Sequence, residues 1–348
     1  MDTALKPIMI IGGGLAGLTL GVGLRKQGVP VTVLEAGHYP RHRVCGEFIS
    51  GRGQDVLERL GIRKSFLEAG AILARTAAFF SREAKSPARP LLPPALCLSR
   101  FKMDGLLAEK FRKLGGELRE GVRWRPSATD GALVHATGRR VQPLDHGLRW
   151  FGLKVHAQKV LLEADLEMHL APNGYVGLCQ LSGGEVNVCG LFRRRAHGNS
   201  SPTNWKQLLS GEPGTALRRR LASAVFEESS FCSVAGLPLT PQHASESDEC
   251  RIGDALTMTA PVTGNGMSMA FESAESAIDP LTAYSRGDLS WWQAQQIVAA
   301  ACDSAFARRL AWASKLQWMM FAQPFRGGLG AIALHSDRLW RLLFSRTR

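Results

Sequence analysis

The chain has 348 residues, is 45% apolar and 21% charged, and carries a formal net charge of +13. That composition suits a globular protein of about two domains; no uninterrupted apolar run nears the roughly 20 residues of a membrane span. The seven cysteines stand apart with no Cys-x-x-Cys pair, so no metal site or redox dithiol is expected, and scattered basic residues without a recognition motif argue for no nucleic-acid partner.

The first apolar run, Ile8-Met9-Ile10-Ile11, reads as a strand rather than a leader peptide, which makes a reduced, cytoplasmic setting the default. It enters Gly12-Gly13-Gly14-Leu15-Ala16-Gly17, a helical stretch follows, and a second strand, Val31-Thr32-Val33-Leu34, ends on Glu35. A strand, a glycine turn, a helix, a strand and an acid in this order are what a dinucleotide site requires. Gly12 makes the tight turn, Gly14 lets a pyrophosphate approach the backbone, and Gly17 lets the helix pack close. The helix N-terminus offers unpaired N–H groups to the phosphates. Glu35 is placed to accept a ribose hydroxyl, in a partly solvated position.

Beyond Glu35 runs a basic loop, Tyr39 to Phe48, with Arg43, Cys45 and Glu47. Residues 53–69 read as helical, and the proline-rich 85–95 as a connector. Ser99-Arg100 opens a helix through about Leu114, and Ala132–Ala136 is a buried-type strand. From Trp150 to about Phe231 the apolar period shifts toward two, with turns at Pro172-Asn173-Gly174 and Ser182-Gly183-Gly184, as in a largely antiparallel sheet. Trp124 and Trp150 read as core residues, and His135 and His156 as structural ones. From about Pro280 the chain is helical, basic and rich in tryptophan. Gly327-Gly328-Leu329-Gly330 follows no strand, so a second resident dinucleotide domain is not expected.

Residues 251–272 hold a strand ending at Ile252, then Gly253-Asp254, a loop through Pro261, and a helix starting near Gly264-Asn265-Gly266-Met267. This stretch resembles the second FAD motif of the p-hydroxybenzoate hydroxylase and geranylgeranyl reductase superfamily. The resemblance implies that Asp254 bonds the ribityl chain and that the glycine-rich helix start lies under the flavin. Pro40 to Phe48 looks like the Cys-Gly segment of geranylgeranyl reductase-like flavoproteins. Ser99-Arg100 with Asp104 and Leu107 resembles the helix whose arginine lies near FAD. Ala136-Thr137-Gly138 occupies the place of the family's Asp-Gly or Ala-Thr-Gly motif. The likeness covers roughly residues 8–280. Thr137 replaces a frequent aspartate, the stretch between Arg119 and Leu133 is short for the family, and the Trp-x-Trp-x-Ile-Pro motif of flavin halogenases is absent.

The expected fold class is α/β: a Rossmann-like FAD-binding domain of the glutathione reductase type, interleaved with a mostly antiparallel substrate sheet and closed by a helical C-terminus. The expected boundaries are 1–145, with an excursion at about 60–98 toward the substrate domain, then 146–235 for the substrate domain, 236–285 for the rest of the FAD domain, and 286–348 for the final helices. The resemblance implies noncovalent FAD, reduced by NAD(P)H that binds transiently. Cofactor contacts are expected from Gly12, Gly14, Gly17, Glu35, Arg43, Arg100, Gly253, Asp254, Pro261, Gly264, Gly266 and Met267. Cys45 and Glu47 are the candidate catalytic residues, against a reading as a small buried thiol and a surface acid.

Three activities stay open: monooxygenation of a small lipophilic, aromatic or polyketide-like substrate; reduction of an isoprenoid double bond; and flavin binding without turnover. Asp254→Ala is expected to impair FAD retention more than Glu35→Ala. The tail, with Trp291, Trp292, Trp312, Trp318 and Trp340 among Arg308, Arg309, Lys315, Arg326, Arg338, Arg341, Arg346 and Arg348, either packs on the domains or gives a peripheral membrane contact from Leu339 onward.

Overall fold

The computed structural model describes residues 4–82, 84–126, 131–142, 144, 147–195, 204–321 and 335–346. The elements run β1 (Ile8–Ile11), α1 (Leu15–Lys26), β2 (Val31–Glu35), β3 (Phe48–Ile49), α2 (Gly53–Arg59), α3 (Arg63–Glu68), β4 (Ile72–Phe80), β5 (Arg89–Cys97), α4 (Arg100–Lys113), β6 (Glu117–Glu120), β7 (Leu133–His135) and β8 (Leu148–Gln158). They continue with β9 (Leu166–Ala171), β10 (Gly174–Gln180), β11 (Val186–Arg195), α5 (Trp205–Ser210), α6 (Ala216–Arg220), β12 (Val225–Ala235), β13 (Cys250–Arg251), α7 (Gly266–Arg286), α8 (Trp291–Phe321) and α9 (Asp337–Arg346).

Two sheets organise the chain. The first is five-stranded in the order β13-β7-β1-β2-β6, and its pairings are parallel. Every residue of α1 from Leu15 to Leu24 is buried, as expected of a helix covered on all sides. Its glycines make that possible: a Cβ on Gly21 would lie 2.8 Å from the Phe111 ring of α4, and one on Gly23 would lie 2.2 Å from Ile278 of α7.

The second sheet is eight-stranded, β12-β8-β11-β10-β9-β4-β5-β3. It is antiparallel except where β4 runs parallel to β9. β3 to β5 come from before α4, so the chain crosses between the two sheets and leaves a cleft at the junction.

The proline-rich segment is not a simple connector. Residues 89–97 form β5, which pairs with β4 on one side and β3 on the other. Proline cannot donate to a ladder, and the β4–β5 register breaks between Ala74 and Thr76, opposite Pro93 and Pro94. The turn and alternation signals were outweighed there by pairing that only the folded sheet supplies.

The C-terminal helices pack rather than project. Arg309 of α8 makes a bidentate pair with Glu272 of α7, at 2.8 and 2.6 Å, and both are buried. Trp291 packs edge-on to Tyr284, while Trp292 and Trp318 stay exposed at 67% and 69%. Trp340 and Phe344 of α9 pack against the β4–β5 side of the second sheet. Arg326, Arg348 and the Gly327–Gly330 stretch lie outside the described residues. Among the described residues no helix is long and apolar enough to cross a membrane.

Candidate active site

The glycine turn is built by contacts no other residue could make. Gly12 has φ of +101°, and a Cβ there would sit 2.3 Å from the carbonyl oxygen of Ala136. A Cβ on Gly17 would lie 1.9 Å from the carbonyl oxygen of Gly12. Gly17 therefore acts from beneath, locking α1 onto the turn. Gly14 differs: nothing lies within 4 Å of the Cβ position, because that side faces a cavity. No side chain caps α1, so its first N–H groups are left for a ligand.

Glu35 departs from expectation. It is only 5% exposed. Its carboxylate accepts hydrogen bonds from the N–H groups of Gly13 at 2.9 Å and Gly37 at 2.8 Å. Arg41 pairs with it at 2.6 Å and Arg43 at 3.6 Å. Burial works against the charge, but the Gly37 N–H and the two guanidiniums outweigh it, and the carboxyl is held below its usual range. Glu35 is thus a structural anchor of the glycine turn as well as an acid at the cavity, and the premise that it is the weakly held, solvated partner is overturned.

At the other end, Gly253 has φ of +60° and donates its N–H to Ser273 Oγ at 2.9 Å. The next residue, Asp254, is exposed and faces the cavity, unlike buried Glu35. Protein packed around the cavity mouth raises its carboxyl despite the cations of Arg100 and Arg139. Pro261 starts a one-turn 3-10 helix, and Gly264, with φ of +64°, packs under the Phe48 ring, 2.3 Å from where a Cβ would be. Gly266 then opens α7 without a side-chain cap bond. Arg100, at the start of α4, holds buried Asp104 through two bonds of 2.9 Å, and Arg43 joins it at 3.2 Å.

These two ends share one cavity of about 1280 Å³. A pocket for one drug-sized ligand is roughly 300–1,000 Å³, so this one has room for a dinucleotide and a second molecule. Gly12, Gly14, Glu35, Arg43, Cys45, Arg100, Asp254, Pro261, Gly264, Gly266 and Met267 line it. Gly17, Gly253 and Glu47 do not; the two glycines support residues that do. Trp124 also lines it, so it is not a core residue, whereas Trp150 is buried. The far end is walled by apolar side chains of the second sheet and the last helices, among them Leu91, Leu178, Leu237, Met320, Trp340 and Phe344.

Cys45 lies in the cavity wall, and burial raises its thiol above the ordinary value despite nearby Arg100, which disfavours the nucleophilic thiolate. Glu47 is fully buried and not a surface acid. It has φ of +62°, and its carboxylate accepts from the Arg100 N–H at 2.9 Å. It also meets Lys154 Nζ at 3.4 Å and His156 Nε2 at 2.7 Å. Lys154, equally buried, reaches His42 Nδ1 at 3.1 Å. Sequence reading gave no role to Lys154, to His42, or to Glu185, whose carboxylate meets His156 Nδ1 at 3.1 Å. The one available signal was a charged lysine, Lys154, inside the apolar alternation of β8.

Comparison with known proteins agrees with the cleft. Residues 6–146 match the FAD binding domain family. A 1H-pyrrole-2-carbonyl peptidyl-carrier-protein brominase from Pseudoalteromonas luteoviolacea is 27% identical over 167 residues, covering 45% of this chain and 36% of that protein. Rifampicin monooxygenase from Streptomyces venezuelae is 34% identical over 119 residues, covering 33% and 24%. The chain thus covers only about a quarter to a third of the curated relatives it matches. Among solved structures, a flavin-dependent brominase superposes with a TM-score of 0.75 at 16% identity, over 99% of this chain and 93% of that one. A p-nitrophenol 4-monooxygenase from Pseudomonas putida gives 0.74 at 16% identity, over 99% and 98%. The fold is therefore that of the α/β flavoproteins with a helical C-terminus. The match over residues 6–146 to an FAD-binding domain makes FAD the cofactor. These relatives are halogenases and monooxygenases; none of those named is a geranylgeranyl reductase.

Proposed function

We propose that the chain is an FAD-dependent monooxygenase of a small lipophilic, aromatic or polyketide-like molecule, with NAD(P)H as a transient reductant. The observation that carries this reading is the single cavity, glycine-lined and charged at one side and apolar at the other. The residues present fit FAD: Gly14 leaves open space where a side chain would block a pyrophosphate, and two uncapped helix starts face the same cavity. Gly12, Gly14 and Glu35 hold the adenosine and phosphates, Arg43 and Arg100 supply positive charge along the cofactor, and Asp254 takes the ribityl chain. Pro261 to Met267 bring the N-terminus of α7 to the flavin, where its dipole favours negative charge. Bound FAD supplies two-electron chemistry with the nicotinamide and with oxygen, while the protein positions the reactants and excludes water.

The double-bond reductase reading has no support among the relatives named above. Halogenation is a second reading, favoured by the brominase likeness in both sequence and structure and opposed by the missing tryptophan motif. The test is oxygen consumption with NADH or NADPH over a panel of phenols and indoles, with labelled dioxygen and with or without bromide. Label in a hydroxylated product supports the proposal. A brominated, unlabelled product supports the second reading, and nicotinamide oxidation absent on every compound supports a flavin binder without turnover. Acid precipitation should release all the yellow colour, since no covalent flavin link is proposed; colour left in the pellet contradicts that.

A further inference from the structure

One group of buried charges has no part in holding the cofactor. It starts at Glu185, whose side chain is 31% exposed and whose Oε1 lies 3.1 Å from His156 Nδ1. His156 Nε2 is 2.7 Å from Glu47 Oε2, and Glu47 Oε1 is 3.4 Å from Lys154 Nζ. Lys154 Nζ is 3.1 Å from His42 Nδ1, and His42 lines the cavity. The three central side chains, His156, Glu47 and Lys154, are at most 3% exposed. The array is continuous, and it is open at both ends: to solvent at Glu185 and to the cavity at His42.

A purely structural role does not account for that arrangement. Replacing a buried ion pair by apolar residues is often neutral or stabilising, and β8 lies in a sheet whose core would accept them. We infer that Glu185, His156, Glu47, Lys154 and His42 form a proton conduit that carries protons from solvent to the reaction cavity. This rests on the reading of that cavity as a flavin site.

The chemistry of each link follows from its atoms. Lys154 donates to His42 Nδ1, so the neutral ring carries its own proton on Nε2. Burial first, then the neighbouring Lys154 and His156, pulls His42 down to about 4, which keeps it neutral near pH 7. Nδ1 takes a proton from the Lys154 ammonium, a half-turn of the ring carries that Nδ1–H to the cavity side, and the Nδ1–H bond breaks toward a basic atom there. The resulting amine regains a proton from His156 through the Glu47 carboxylate. His156 is held above the usual imidazole range: burial opposes its charge, but Glu185 and Glu47 outweigh it. It is refilled from solvent past Glu185. The ring then turns back, with Nε2–H retained throughout and Nδ1 again facing Lys154. One proton moves inward, and no electron changes hands.

The groups that surround the conduit do not short-circuit it. Arg43 and Arg100 are engaged by Asp104. The thiols of Cys45, Cys179, Cys189 and Cys232 are all raised by burial, so they stay protonated.

The test reads proton uptake directly. The anaerobic holoprotein is photoreduced by a flash in weakly buffered solution, flavin absorbance reports the electrons and a pH-indicator dye reports protons taken from the bulk. In Glu185→Gln and in His42→Gln, uptake should slow by about tenfold or more, while flavin reduction keeps its rate. Imidazole at millimolar concentration should restore uptake in Glu185→Gln. FAD content and melting temperature identify any variant that misfolds, and Glu185→Gln, at the surface, is the safeguard against that. Unchanged uptake in either variant, no rescue by imidazole, or reduction of the parent protein without proton uptake would each overturn the conduit. A protein that passes this test and still consumes no oxygen keeps the conduit and loses the monooxygenase reading.

Discussion

The glycine turn around Glu35 and the charged bridge around Glu47 are both buried carboxylate sites, yet they are built in opposite ways. Around Glu35 the ligands are backbone N–H groups from Gly13 and Gly37 and the guanidiniums of Arg41 and Arg43, all within eight residues of one end or the other of the βαβ unit. Around Glu47 they are the Lys154 and His156 side chains of β8, more than a hundred residues on in sequence, and the Arg100 N–H, with Glu185 and His42 reached through that histidine and lysine. The first site works through backbone shape and tolerates almost no substitution. The second works through ionisable groups and should tolerate paired replacement in stability better than in proton handling.

The largest expected effect breaks the first site. Gly17→Ala places a methyl 1.9 Å from the Gly12 carbonyl oxygen, which must displace the turn itself. The variant should purify without FAD, and full FAD occupancy would show that the turn can relax. Next, Glu35→Ala should lower unfolding free energy by about 3–5 kcal/mol, because Arg41 and two N–H groups lose their partner inside the protein. Asp254→Ala should leave the melting temperature unchanged or slightly raised, since a carboxyl held above its ordinary value gains little from the fold. Its FAD dissociation constant should rise by roughly ten- to a hundredfold, for a lost charged acceptor of about 1.5–3 kcal/mol. Denaturant melts and fluorescence titration of both proteins separate the two behaviours.

Lys154→Met sharpens the comparison from the other side. Alone it takes the ammonium from buried Glu47, which keeps only His156 and the Arg100 N–H, and should cost up to about 3–5 kcal/mol. Combined with Glu47→Gln it should regain much of that loss, while FAD binding stays intact throughout. Additive losses in the double variant would mean that the two groups do not act as a pair.

A smaller effect is set by pH. Because Glu35 is held below its unfolded value, its contribution is complete above the ordinary carboxylate value of about 4.3. It fades as pH falls through the lowered folded value. Glu35→Gln should therefore flatten the acid limb of the melting-temperature profile and leave its neutral-to-basic limb parallel to the parent. The smallest effect belongs to the tail. Truncation after Asp337 removes Trp340 and Phe344 from the cavity wall, and should alter substrate range without altering FAD content. Flotation on anionic liposomes by the full chain and not by the truncated one would instead give the tail a membrane role.

The same contrast explains how much could be read in advance. Gly12, Gly14, Gly17 and Glu35 are legible because a dinucleotide turn is a local object with fixed spacing, whereas Gly253-Asp254 with Gly264-Asn265-Gly266 stands out through its family resemblance. The antiparallel character of β8 to β11 follows from alternation. What alternation could not show was β5, whose prolines are accommodated by a register break in its neighbour. Nor could it show the burial of Glu35, which depends on Arg41 and Arg43 folding back over it. Cys45 and Glu47 stood out as polar residues near the flavin segment, but their roles differ: one borders the cavity, and the other lies behind it. His156 read as structural because its partners Glu47 and Glu185 sit on other elements, and nothing in spacing links 42, 47, 154, 156 and 185.

The central claim is that one cavity holds FAD and substrate together, with the flavin ring at the α7 end. A crystal structure of the holoprotein tests this most directly. The account predicts adenosine at Gly14 and Glu35, the ribityl chain at Asp254, the flavin ring over Gly264 to Met267, and free volume remaining against Trp340 and Phe344. A flavin ring seated outside the cavity, or filling its apolar end, would contradict it.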